Sequence, residues 1–542
     1  MRTSTHMQSS CRSALVALAG AAILFAAAAT SVSATALLSS EVPEAVATAR
    51  RVAPVKSTLH LHLSVSLPLR DEAGLDTLLS DIYNPASPNY RRYLSVADFT
   101  ARFGPTAADY KKAAQFFAAR GLTVQADAPN HFLLAIDGKA GDIERVFHVK
   151  LAYYRHPTET RVFLAPDREP NVDLASPLLH VTGLDDFVRP HPRVERQKAI
   201  RTTGSGPGGQ FLGSDVRTAY YGGRMDGAGQ SLGLMELEGY NLADVQTYFT
   251  RFGPPLTTNV VGISTDGAPV NCSHCNDAEQ ALDIEYAIAM APGLAQVQVY
   301  VGNNAEDVLN RMASDDTSLQ LSTSWGWSKR EFATDEPLFK EMAAQGQSFL
   351  TASGDYSNLK DSDPWPEESA NLTGVGGTDL VTKSAGGPWA SETGWPSSAG
   401  GPSLDKAITI PIYQKPYIND ANGGSKKVRN VPDIAAVADD FYICADGKCN
   451  GGWGGTSFSS PIWTGFIAMA NQQAAAEGKP PVGFLNPTLY ALGHKSKYAT
   501  SMHDITVGKS GLFSCTPSYD LVTGLGSPDG KALIKILADG IK

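Results

Sequence analysis

Beyond its first 34 residues the sequence has no run approaching 18 apolar residues, so that part of the chain offers no helix able to span a bilayer. Cysteine is scarce, with six in 542 residues, which excludes a disulfide-dense scaffold. Charged residues make up 18 % and the net charge is −10, which argues against nucleic acid as a partner. Residues 213–542 hold three histidines, His274, His494 and His503, and none sits in a Gly-flanked motif. That leaves little material for histidine-based acid–base chemistry. What is present is globular: 42 % hydrophobic residues, with 51 Gly and 33 Pro in no collagen-like period.

Arg2 and Arg12 precede an Ala-, Leu- and Val-rich run from Ala14 to Thr30, and Val32-Ser33-Ala34 satisfies the small-residue rule for cleavage. This is the three-part form of a secretory signal. The competing reading is a single membrane anchor, for which the Ala-heavy run is at the short limit. No Cys directly follows the run, which argues against a lipid-anchored form. The expectation is an exported chain, cut after Ala34 and soluble thereafter. In such a chain Cys272 with Cys275, and Cys444 with Cys449, read as two small disulfide loops. Cys515 is then left over, free or re-paired. A zinc site from Cys272, His274, Cys275 and a distant pair is the sharper alternative, although the spacing is not that of a standard finger.

Charge divides the chain. Residues 1–50 and 51–212 are near neutral, at +1 and +3, whereas residues 213–542 carry 22 Lys/Arg against 36 Asp/Glu. Two folding units with different tasks follow from that split. Residues 35–55 read as a disordered leader. Residues 56–190 predict strands at 59–65, 132–136 and 147–154 and helices at 73–82 and 107–119, a small α+β sandwich. Residues 191–212, with Pro192 and the run Gly204-Ser205-Gly206-Pro207-Gly208-Gly209, read as an exposed linker that is easy to cut. From 213 onward, apolar runs at 231–237, 296–301, 319–322 and 348–352 alternate with helical stretches at 278–291, 304–313 and 335–345. Short apolar strands with crossover helices predict a doubly wound parallel sheet, with its site at the carboxyl ends of the strands.

Three segments could carry chemistry. Gly454-Gly455-Thr456-Ser457-Phe458-Ser459-Ser460-Pro461 leads into an apolar helix, so Ser457 sits at a positive helix end behind small residues. The alternative is an ordinary Ser/Thr cap after a Gly turn. Glu279 and Asp283, four apart on a predicted helix, share one face beside apolar residues, as two carboxylates sharing a proton would, or as a plain solvated face would. The apolar run 348–352 ends in Ser353-Gly354-Asp355, where a protonated Asp355 could donate to an oxyanion, or could simply belong to a turn.

Together these segments resemble the sedolisins, the serine-carboxyl peptidases related in fold to subtilisin. Ser324-Trp325-Gly326, Gly374-Val375-Gly376-Gly377-Thr378 and Arg429-Asn430-Val431-Pro432-Asp433 add to the resemblance. Within residues 56–190, Ser87-Pro88-Asn89-Tyr90-Arg91-Arg92-Tyr93-Leu94 and Phe99 resemble the family's activation domain. The resemblance implies a subtilisin-like α/β catalytic unit over 213–542 behind an α+β prodomain over 35–190. It implies Ser457 as nucleophile, Glu279 as general base and acid, Asp283 as its tuning partner and Asp355 as oxyanion donor. Glu236 and Trp325 match positions that support the carboxylate network in some members.

His503-Asp504-Ile505 and Thr516-Pro517-Ser518-Tyr519-Asp520 resemble the family's calcium loop. They imply one structural Ca²⁺ held by the carboxylates of Asp504 and Asp520 and the carbonyls of Ile505, Thr516 and Ser518. The family favours Gly-Pro-Gly-Trp-Asp here, so this chain replaces both glycines and shortens the loop. The implied function is a secreted, monomeric, acid-acting endopeptidase that processes itself, inhibited by its own prodomain and cutting peptides or proteins. A tripeptide-releasing exopeptidase of the same family and an inactive protein-binding relative are the alternatives, and the missing histidine disfavours a conventional serine peptidase.

Overall fold

The computed structural model describes residues 36–38, 41–125, 128–197, 203–273, 276–361 and 365–541. The expected signal segment, His274 and Cys275 lie outside the described residues. Among the described residues no helix is long and apolar enough to cross a membrane.

The N-terminal unit is a four-stranded antiparallel sheet. Its central strands are β1 (His60–Ser66) and β2 (Leu133–Lys139), flanked by Thr123–Val124 and by β3 (His180–Thr182). Helices α1 (Glu72–Ile82) and α2 (Ala107–Ala118) begin at Asp71 and Thr106, whose side chains accept backbone N–H groups of the first turn. Leu63, Val65, Phe117, Ile136 and Phe147 fill the core between this sheet and its helices. Residues 140–146 form a helix, and the strand predicted over 147–154 is confined to Leu151–Arg155. Phe147 is instead the buried cap of that helix.

The leader expected to be disordered is built into this unit. Ala36–Leu37 pairs with Asn171–Val172, Arg51–Pro54 pairs with Leu151–Arg155, and Leu38 and Glu41 are buried. Small and polar composition alone missed this, because the ordering comes from Glu41 meeting His180 at 2.7 Å.

The C-terminal unit holds a sheet built from β4 (Ser231–Glu236), β5 (Asn259–Ser264), β6 (Gln296–Val301), β7 (Gln320–Thr323), β8 (Ser348–Ala352), β9 (Thr373–Thr382), β10 (Trp389–Gly394) and β11 (Ile434–Val437). Its order is β5-β6-β4-β7-β8-β9-β10, parallel except for the β9–β10 pair, with β11 parallel to β9. This is the doubly wound α/β arrangement expected from the alternation of apolar runs and helices. The crossover helices are α3 (Ala278–Met290), α4 (Ala305–Asp315) and α5 (Phe332–Gln345), and α6 (Thr456–Ala476) packs along α3. Gly465 permits that approach, since a methyl group there would meet the Ala287 carbonyl oxygen at 2.7 Å.

The two units share an apolar core. Leu75, Phe99, Phe103 and Phe132 pack with Leu309, Met312, Leu338 and Phe339 of α4 and α5. Two histidines sit at the polar part of this boundary. His180 lies between Glu41 and Glu331, 2.7 and 2.9 Å away, and His62 lies between Asp137 and Asp307. Burial pulls the His62 imidazolium down, but hydrogen bonds to Asp307 and Asp137 outweigh it and raise the group to about 9.

A raised histidine stabilises the docked state fully below its free value of about 6.5 and loses that contribution as pH rises through about 9. In an uncut Ser457→Ala precursor, His62→Gln should lower stability by up to about 3 kcal/mol near pH 6. The difference should vanish above about pH 9 in thermal melts.

Candidate active site

Gly455 has φ +141° and precedes α6, so Thr456 and Ser457 open the helix where backbone N–H groups have no carbonyl behind them. A methyl group on Gly455 would meet the Arg193 carbonyl oxygen at 2.5 Å and Asp355 Oδ2 at 2.6 Å, so glycine is required here. Across from Ser457 lies α3, every residue of which is buried. The shared-face reading of Glu279 and Asp283 holds, and the solvated-face reading does not: the two are 2 % and 0 % exposed. Asp355 follows the carboxyl end of β8, so the four predicted residues enter from one strand end and two helices, as that topology requires.

The carboxyl groups form a relay. The Trp325 indole N–H donates to Glu236 Oε2 at 2.9 Å, the Glu236 and Asp283 carboxyl groups lie against each other, and Ser324 Oγ lies 2.9 Å from Asp283 Oδ1 and 3.2 Å from the Ser457 carbonyl. The Ser457 hydroxyl and the Val194 N–H lie against the Glu279 carboxyl and lower its proton affinity, although neither closes to full hydrogen-bond geometry. Asp355 Oδ1 accepts the Thr456 N–H and hydroxyl, both at 2.8 Å. Its Oδ2 forms no hydrogen bond among the described residues and faces Gly455 and the Arg193 carbonyl.

Burial dominates the titration of this cluster. It raises Glu279 and Asp283 well above the usual carboxylate range; the charge of Glu236 adds to both, that of Asp355 to Glu279 and that of Glu279 to Asp283. It pushes Glu236 up to about 8 against the Trp325 hydrogen bond. Asp355 rises to about 7 against its two bonds from Thr456. With Oδ1 taken by two donors, the proton of a neutral Asp355 belongs on Oδ2, on the side of Gly455 and the Arg193 carbonyl.

The segment expected to be an exposed linker occupies that cleft. His191–Pro192 pairs antiparallel with Trp325–Gly326, and Glu195–Arg196 pairs with Trp453–Gly454 on the far side of Ser457. The Arg193 N–H donates to the Ser324 carbonyl at 3.0 Å and the Gln197 N–H to Gly452 at 2.8 Å. Arg193 and Phe211 are buried. Composition failed because the ordering comes from strand addition, a main-chain interaction that side chains do not announce. The peptide Arg193–Val194 therefore lies between Asp355 and Glu279.

The C-terminal loop is a separate site. Both oxygens of Asp504 lie 3.0 Å from the Ser518 N–H, and Asp520 Oδ2 accepts the Thr516 N–H at 3.2 Å. Ser518 has φ +75°, so serine holds the left-handed conformation for which the family pattern supplies glycine. Among the described residues neither carboxylate is in a salt bridge. Cys444 pairs with Cys449 and Cys272 is disulfide-bonded, which removes the zinc alternative; Cys515 is a free, buried thiol.

Residues 47–187 match the family model described as "Pro-kumamolisin, activation domain". The chain is 30 % identical to kumamolisin of Bacillus sp. (strain MN-32) over 521 residues, covering 88 % of this chain and 91 % of that one. It is 26 % identical to sedolisin of Pseudomonas sp. (strain 101), covering 86 % and 85 %. Tripeptidyl-peptidase 1 of Dictyostelium discoideum is 28 % identical, over 57 % of this chain and 54 % of that one. Among solved structures, Pseudomonas sedolisin complexed with two molecules of pseudo-iodotyrostatin superposes with a TM-score of 0.53 at 24 % identity. It covers 60 % of this chain and 97 % of that one, and shows the shared fold.

Carboxyl groups raised in the folded state bind protons that the unfolded chain has released, so stability falls as pH rises above their free values. For Glu236 the window runs from about 4.5 to about 8. In the uncut precursor, Glu236→Gln should flatten the fall in melting temperature across this window. A slope equal to wild type would show that Glu236 ionises freely.

Proposed function

The chain belongs to the serine-carboxyl peptidase family of kumamolisin and sedolisin, with an N-terminal activation domain, and from that premise we propose that it is an exported, acid-acting endopeptidase that cuts itself free of that domain. The observation that carries this reading is the peptide Arg193–Val194 laid between Asp355 and Glu279, with chain paired to the cleft on both sides. The Ala14–Thr30 run with its flanking arginines supports export.

In this mechanism Ser457 Oγ attacks the carbonyl carbon and gives its proton to Glu279. The developing oxyanion takes hydrogen bonds from protonated Asp355 and from the open end of α6. Glu279 then protonates the departing amine, and water deacylates Ser457 by the reverse sequence. Asp283 and Glu236, held by Ser324 and Trp325, fix the Glu279 carboxyl and keep a proton within the relay. A buried carboxyl base serves here because desolvation raises its proton affinity toward that of imidazole.

Endopeptidase action is favoured by the upstream half of the cleft. The chain runs back from Arg193 through paired His191–Pro192 to an exposed Arg189, so among the described residues the cleft accepts a chain that extends beyond the third residue before the bond. A tripeptide-releasing enzyme would need to meet a free amine there.

We also assign a structural Ca²⁺ to Asp504, Asp520 and the carbonyls of Ile505, Thr516 and Ser518. Two carboxylates without a cationic partner among the described residues, tied to one loop through the Ser518 and Thr516 N–H groups, supply oxygen ligands of the hard kind that ion takes. Bound there, the ion would supply charge neutralisation and tie the C-terminal loop down.

Ser457→Ala should leave an uncut precursor after acidification, and Glu279→Gln should lower kcat/KM on a peptide at least about 10³-fold. Full processing of Ser457→Ala in isolation would refute self-cleavage. Activity should fall as pH rises through about 7, where Asp355 loses its proton, and Asp355→Asn should move that limb upward. Removal of Ca²⁺ with a chelator should lower the melting temperature of wild type but not of Asp504→Ala. Indifference of wild type would remove the ion.

A further inference from the structure

We propose that Glu367 makes the cleft selective for arginine at the residue whose carbonyl is attacked, and that Arg193–Val194 is the bond this enzyme cuts in itself. The proposal rests on the peptidase reading above and goes on to name its specificity.

Arg193 is only 4 % exposed, in a segment whose composition predicts a solvated linker. Its guanidinium enters a closed pocket. Nη1 donates to the Ala352 carbonyl at the end of β8, and Nη2 donates to the Trp365 carbonyl at 3.2 Å and to Glu367 Oε2 at 2.7 Å. Glu367 is wholly buried, and its Oε1 has no hydrogen bond among the described residues. The side-chain partner of that carboxyl is the guest guanidinium. Glu368, next in sequence, instead accepts the Leu404 N–H.

Gly326 completes the pocket wall. A methyl group there would meet Arg193 Nη2 at 2.7 Å and Nε at 2.9 Å, so glycine opens the space that the planar guanidinium fills. Burial pushes the Glu367 carboxyl up to about 8 and the Arg193 guanidinium pulls against that rise, so in acid the carboxyl meets the fixed positive charge of arginine as a neutral partner.

The chemistry discriminates between side chains. Arginine presents a planar fork that reaches acceptors on several sides, whereas lysine offers a compact ammonium on a stem of different reach. Leucine would leave Glu367 buried without a partner, and glutamate would add a like charge. After hydrolysis, with one water consumed and the Arg193 carboxyl and Val194 amine released, the acid-bottomed pocket is free for the corresponding residue of a substrate.

The full-length precursor should be acidified and its mature N-terminus sequenced, which is expected to begin at Val194. The mature enzyme should then be assayed on peptides identical except for Arg, Lys, Leu or Glu before the cut. Arginine is expected to exceed leucine in kcat/KM by about 100-fold, the worth of a buried charge-assisted contact. Glu367→Gln should collapse that ratio to a few-fold. Should Glu367→Gln not fold, the Arg193→Leu precursor reads the pocket from the other side, with cleavage at 193–194 slowed by a similar factor. Peptides cut without preference for arginine, or a preference untouched in Glu367→Gln, would overturn the specificity while leaving the peptidase reading intact. No cleavage of any peptide would take both readings down.

Discussion

Four carboxyl groups, Glu236, Asp283, Glu279 and Asp355, are buried around one serine hydroxyl, and the cost of ionising them there organises much of this molecule. A carboxylate removed from water without full compensation is expensive, so such a group keeps its proton or shares a neighbour's. The surrounding structure meets that constraint with oriented donors: Trp325 on Glu236, Ser324 on Asp283, Thr456 on Asp355. The same desolvation that penalises the charges gives Glu279 the proton affinity of a base and lets Asp355 act as a donor. Stability and reactivity thus draw on one term.

The prodomain meets the catalytic unit in two ways. Its apolar face shares a core with α4 and α5, and its charged residues make buried pairs such as His180 with Glu331. Its trailing segment then adds strands to both sides of the cleft. Main-chain pairing of this kind orders any sequence, so Arg193 supplies the selective part of the contact. Burying a guanidinium demands a counter-charge, which ties the identity of residue 193 to that of Glu367.

Much of this was legible in the sequence. The apolar runs at 296–301 and 348–352 are strands with those bounds, because a parallel strand buried on both faces writes itself as a continuous apolar stretch. The edge strand Asn259–Ser264 was not legible, since its half-exposed Asn-Val-Val-Gly-Ile-Ser lacks that run. Glu279, Asp283, Asp355 and Ser457 were found through local spacing and motif, and the fold brings them together. Glu367 has no such signal in the sequence, and only packing against a residue 174 positions earlier reveals the pocket. The order of the leader and of residues 191–197 escaped the sequence for a related reason, because long-range pairing overrides loop-like composition.

The central claim is that buried carboxyl groups of the uncut Ser457→Ala precursor stay protonated far above their solution values. Infrared difference spectroscopy through a pH titration tests it most directly, by following the band of protonated carboxyl groups. The account predicts a carboxylic acid signal that persists to about pH 7 and is diminished in Asp355→Asn. Loss of every such signal by about pH 5, as for carboxyls in water, would contradict it.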